Sequence, residues 1–170
     1  MVKPRQSGFS VTEIVIVVAV ILLIIAIAVP RLLHARMSAN TASAAASMRA
    51  VNTAEAIYAL NYPAVGYSAS LINLGRNGST CETVTSTNAC LIDDGLATGI
   101  KSGYVFDLTG DGSTPDTAYN LTAVPESNGY SGLCSFSSNQ SGSIDAKPGV
   151  AQTSLLQMGG ETSGCGAAGK

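Results

Sequence analysis

The stretch KPRQSGFSVTEIVIVVAVILLIIAIAVP, residues 3–30, decides the architecture of this chain. Residues 9–29 make a run of 21 positions whose only charge is Glu13. As a helix the run spans roughly 31 Å, close to the ~30 Å core of a bilayer. It carries no polar face, so it needs lipid or other apolar helices all around it. A secretory signal peptide has a shorter apolar core and a small-x-small cut site behind it. Here Pro30, Arg31, Leu32, Leu33, His34 and Arg36 follow instead. The run therefore reads as a transmembrane helix that is not cut at its far end.

Glu13 is the exception inside that run. A carboxylate within an apolar membrane helix costs on the order of 2.5–3.5 kcal/mol even by lenient insertion scales. One reading has Glu13 snorkel to the membrane surface. The other follows from the short polar leader ahead of it, residues 1–8, which carries Lys3 and Arg5. A cut between Gly8 and Phe9 would create a positive amine on Phe9, a partner for the carboxylate. It would also remove two of the nine basic residues and take the formal net charge from −2 to −4.

With Gly8 before the junction, Phe9 after it, Thr12-Glu13 and Pro30 closing the run, the segment resembles the class III signal of type IV pilins and type II secretion pseudopilins. The resemblance implies cleavage between Gly8 and Phe9 by a prepilin peptidase, N-methylation of Phe9, and pairing of Glu13 with the Phe9 amine of a neighbouring subunit during assembly. It also implies the pilin fold, an α+β arrangement in which a long N-terminal helix packs on a small antiparallel sheet.

The composition beyond the run fits that outline. No glycine occurs between residues 9 and 65, and alanine, the strongest helix former, is abundant from Ala35 to Ala59. One helix from about residue 9 to 60 is expected, roughly 78 Å long. Pro30 removes a backbone donor and clashes with the preceding turn, so a kink or local melting is expected there. Residues 31–61 form a weakly amphipathic continuation. Leu33, Met37, Ala44, Met48 and Val51 share one face, with Arg31, Arg36, Asn40, Arg49, Asn52 and Glu55 as polar positions around them. This half is expected to pack on the chain's own globular domain. The organisation is thus a leader at 1–8, a membrane and filament-core helix at 9–30, its amphipathic continuation at 31–61, and a β-rich domain at 62–170.

Residues 62–170 are rich in Gly, Ser, Thr and Asn and hold all four cysteines, Cys81, Cys90, Cys134 and Cys165. None has C-x-x-C spacing, and an even number behind an export-like segment reads as two disulfides in an oxidising compartment. A Cys81–Cys90 bond would pin a local loop and contribute about 2–3 kcal/mol. Cys134 with Cys165 would then tie the tail to the sheet. Three pairings exist, and spacing does not choose among them. Strands are expected at 103–108, 119–124 and 133–137, with a weaker one at 142–145, each bounded by turn residues. The region from Gly99 to Asp145 resembles, more loosely, the strand region of the major pseudopilin. The tail from Gly159 to Lys170 is expected to be mobile except near Cys165.

Signals for chemistry are sparse. Asp107, Asp111 and Gly112 echo the first half of an EF-hand loop, but Ala118 stands at the twelfth position, where a bidentate carboxylate is needed. A Gly-Asp-Gly hairpin turn is the favoured reading. Because major pseudopilins bind calcium in a loop of this domain, the resemblance makes Asp107, Asp111 and Asp116 weak calcium candidates; no cofactor is expected. The single His34 lies just past the apolar run, no G-x-S-x-G element occurs, and Asp93-Asp94 before Gly95 reads as a turn or helix cap. An enzyme is not expected. No basic cluster with interleaved aromatics supports a nucleic-acid partner.

The resemblance then implies a structural subunit of a type IV pilus for adhesion or twitching motility. Its partners would be identical or homologous subunits, the prepilin peptidase and an inner-membrane assembly platform. It would lie in the inner membrane as a precursor and afterwards in an extracellular pilus. Two cysteine pairs and a mature length of 162 residues lean that way, while the pseudopilin-like strand region leans toward a periplasmic pseudopilus. From another class comes a membrane-anchored binding module that never polymerises and keeps an intact N-terminus.

Overall fold

The computed structural model describes residues 10–78, 80–127, 129–148 and 165. The Gly8-Phe9 junction and, Cys165 apart, the Gly-rich tail lie outside the described residues. The chain divides into two compact units, residues 1–35 and residues 36–170.

Helix α1 runs Val11–Asn61 and is helical on both sides of Pro30. The melted turn considered at Pro30 is therefore not what forms. Proline still leaves the Ala26 carbonyl without its usual amide donor, a loss of one bond within a long ladder. The helix ends where expected, at Asn61 ahead of Tyr62-Pro63, because the residue before a proline disfavours helical geometry.

In the second unit, five strands form one antiparallel meander in the order β1–β2–β3–β4–β5. They are β1 Ile100–Lys101, β2 Tyr104–Gly110, β3 Tyr119–Pro125, β4 Cys134–Asn139 and β5 Ile144–Pro148. The alternation in the sequence decides which face is covered. Tyr104, Phe106 and Leu108 on β2 are buried, as are Tyr119, Leu121 and Ala123 on β3 and Cys134 and Phe136 on β4. Register keeps them abreast, with Phe106 opposite Ala123, Leu108 opposite Leu121 and Ala123 opposite Phe136. These residues form one core with Ala44, Met48, Val51, Ala54 and Tyr58 of α1. The architecture is α+β, a long apolar N-terminal helix whose later half packs on a small antiparallel sheet.

Of two short helices in the 62–99 region, α2 Leu71–Leu74 was not anticipated and α3 Asp94–Ala97 only through the turn or helix cap read at Asp93-Asp94; β1 was not anticipated either. Each is too short for a periodic signal to register. They add Leu71, Leu74 and Leu96 to the core. Asp93 is the N-cap of α3, accepting a hydrogen bond from the Leu96 amide at 3.1 Å, so the Asp93-Asp94 pair serves a helix cap.

Two positions on α1 depart from the expected pattern. Leu33 is exposed, because it lies in the first unit, ahead of the stretch that meets the sheet. Glu55, assigned to the polar face, is completely buried. The buried stripe of α1 is wide enough to take in Thr41, Ser47 and Glu55 beside Met48 and Val51.

Polar groups also fasten the helix to the sheet. Thr41 donates its hydroxyl to the Met37 carbonyl at 2.8 Å and accepts the Leu133 amide at 3.1 Å. Its oxygen lies 3.0 Å from the Tyr104 hydroxyl, which donates to the Cys134 carbonyl at 2.8 Å. Replacing Thr41 with the isosteric valine would orphan the Leu133 amide in a partly buried setting. We expect Thr41→Val to lower unfolding stability by about 1–3 kcal/mol, read in a denaturant titration.

Candidate functional site

The first unit presents one feature of functional weight. From Ile14 to Val18 every successive side chain is exposed, which carries the apolar surface through more than a full helical turn. None of the most apolar 18-residue window is buried, and α1 is long and apolar enough to cross a membrane. Glu13 is exposed in the first turn of α1, where its amide donates to the Ser10 carbonyl at 3.1 Å. A helix N-terminus favours a carboxylate. Among the described residues no ion pair reaches Glu13. His34 lies farther along the same helix and is exposed.

The acidic turn between β2 and β3 occupies residues 111–118, wider than a Gly-Asp-Gly hairpin, and includes a cis Thr114–Pro115 bond. Asp111 accepts the Ser113 amide and hydroxyl at 2.9 and 2.6 Å and the Thr117 amide and hydroxyl at 3.2 and 2.6 Å. Those donors, Ser113 first, hold its carboxyl well below the usual range. Asp116 shifts the other way through desolvation and the neighbouring Asp111, although it accepts the Gly112 amide at 2.9 Å. Asp107 stands apart, exposed in mid-strand opposite Thr122. Among the described residues no three Asp, Glu, His or Cys side chains are grouped to hold a metal ion. Asp111 and Asp116 thus meet in a turn whose lone pairs serve backbone and hydroxyl donors.

The disulfides join Cys81 to Cys90 and Cys134 to Cys165. The first closes the loop that follows α2. The second anchors Cys165 beside the start of β4, where Cys134 is opposite Pro148 of β5. A small recess of about 160 Å³ near α2 and α3 is lined by Ile72, Arg76 and Asp94, among others. Its charges cancel within an exposed Arg76–Asp94 pair at 3.3 Å.

Sequence reasoning missed the buried Glu55. One of its oxygens accepts the Ser68 amide at 2.9 Å, and the other has no hydrogen-bond partner among the described residues. Desolvation drives its pKa up to about 7, with Asp116 adding to the rise against the opposing Ser68 bond. Tyr119, which donates to the Asn52 side-chain oxygen at 3.0 Å, is pushed up to about 12 by burial and then by Glu55. A glutamate among polar helix positions gives no sign in sequence that a later loop will close over it.

The turn and the crosslinks yield two measurements. Because the folded-state pKa of Asp111 is depressed, its stabilising contribution is whole above about pH 4 and fades as the pH falls below that. Asp111→Ala should lower the melting temperature at pH 7 and flatten its acid limb, while chelator leaves the wild-type melting temperature unchanged. By loop length, removing Cys134–Cys165 should cost about 3–4 kcal/mol and removing Cys81–Cys90 about 2–3 kcal/mol, measured on the paired alanine variants. No protein-family model matches this chain, and no curated protein or solved structure matches it either.

Proposed function

We propose that this chain is a pilin-type filament subunit, held in the inner membrane by the first part of α1 and then polymerised through it. The observation that carries the reading is the run of exposed apolar side chains on every side of α1 ahead of Pro30. Such a surface must stay in lipid or be covered by other helices. A subunit leaving the bilayer is left with the second option, and further copies of the same helix supply it. The Gly8-Phe9 junction and Glu13 add the chemistry. A cut made there by a prepilin peptidase frees the Phe9 amine, its N-methylation keeps the positive charge, and a neighbouring subunit's Glu13 accepts it in a dry core.

A type IV pilus used for adhesion or twitching is the leading form, with a type II secretion pseudopilus as the second. The two disulfides suit a domain exposed outside the cytoplasm. The periplasm is oxidising as well, so genomic neighbours encoding a retraction ATPase or secretion-channel components separate the two. A membrane-anchored binding module that does not polymerise would keep residues 1–8.

Mass spectrometry of the purified protein tests the reading directly. The expected mass begins at a methylated Phe9 and contains two disulfides; an intact Met1 overturns it. Glu13→Ala should be processed normally yet reduce sheared filaments at least tenfold, since an unpaired amine in the filament core costs several kcal/mol. Wild-type filament yield from that variant removes the pairing role.

A further inference from the structure

Glu55 is a buried acid outside the Glu13 pairing proposed above. It projects from α1 into a closed setting, fully buried, with one oxygen on the Ser68 amide at 2.9 Å and the other without a partner among the described residues. Ser68 belongs to the segment that leaves α1, and that segment is fastened to the β2–β3 turn. The Tyr67 amide donates to the Asp116 carbonyl at 3.0 Å, and the Asp116 amide donates to the Val65 carbonyl at 2.8 Å. Between them Gly66 has a φ of +83°, and a Cβ there would run into the Asp116 backbone. The close approach therefore requires glycine. One carboxyl group thus lies beneath a strap that links the helix, the 62–70 segment and the turn.

Among the described residues the titratable groups around Glu55 offer no counter-charge. They are Tyr58 on α1, Asp116 in the β2–β3 turn and Tyr119 on β3. Tyr62 and Tyr67 stand behind, with ring centroids 4.9 Å from Tyr58 and 5.0 Å from Tyr119. No Lys, Arg or His forms an ion pair with Glu55 among the described residues. An ionised carboxylate there lacks both a cation and half its hydrogen bonds, whereas the neutral acid leaves only a hydroxyl unpartnered.

We infer that Glu55 is a proton-dependent latch: protonated, it lets the 62–70 strap close on α1, and ionised, it drives that strap open to water while the sheet stays folded. The sign follows from the two states. In the closed form the carboxyl titrates near 7, and in the opened form near its ordinary 4.5. The latch is fully closed below about pH 4.5 and weakens as the pH rises through 7. The difference caps the change in the opening equilibrium at roughly 300-fold.

Hydrogen exchange on the full-length protein in detergent micelles tests this, with protection corrected for the intrinsic rate at each pH. Between pH 5 and 8.5, protection of amides 65–70 should fall roughly 100-fold, while that of β3 amides stays within a few-fold. Glu55→Gln should remove the pH dependence at the strap. Equal strap protection at both pH values, or an unchanged pH dependence in Glu55→Gln, overturns the latch. If the variant does not fold, infrared titration of the wild type decides. A buried protonated carboxyl that disappears with a midpoint near pH 7 supports the inference, and a carboxyl already ionised at pH 5 overturns it.

Discussion

A five-stranded meander has two faces, and one of them must be covered. In this protein residues 37–58 of α1 are the cover, and the globular unit depends on that contact. Ala44, Ala45 and Ala54 keep the helix side of the interface thin, while Met48, Val51 and Tyr58 fill the space against Tyr104, Phe106, Leu121 and Phe136. Short residues alternating with long ones allow close packing without voids. Thr41 and Asn52 then add polar fastenings to Leu133 and Ser138 that hydrophobic contact alone would not orient.

The same helix does opposite things along its length. Past Arg36 it has a buried stripe and a wet face. Before Pro30 it has neither, and its apolar side chains are exposed all round. Residues 37–58 cover the sheet, while the apolar side chains from Val11 to Val29 are exposed among the described residues. That asymmetry separates a half of the helix that is part of a packed core from a half whose apolar surface calls for an apolar surrounding.

The elements that dominate the chain were legible because their signals are long or strictly periodic. The uninterrupted apolar run, the glycine-free alanine-rich stretch behind it and the alternation in YVFDL and YNLTAV each repeat one physical preference over many residues. Elements of two to four residues, namely α2, α3 and β1, repeat nothing, and of them only the cap of α3 at Asp93-Asp94 left a sign in the sequence. The acidic turn was half legible. The glycines and aspartates at 107–112 marked a turn, but its width and the capture of Asp111 by Ser113 and Thr117 depend on how the chain closes between β2 and β3.

By itself the sequence determined the helix, its apolar half and the strand faces, since each is a property of neighbouring residues. Only the tertiary structure selected Cys81–Cys90 with Cys134–Cys165 from three pairings. Only it buried Glu55, which a helical pattern places among Arg49 and Asn52 as an ordinary polar residue. Burial of that carboxyl depends on Ser68, Asp116 and Tyr119, which are far along the chain and meet it only when the strap after α1 closes on the turn. A local pattern carries no information about such a closure, because the energy that settles it comes from groups brought together by the fold.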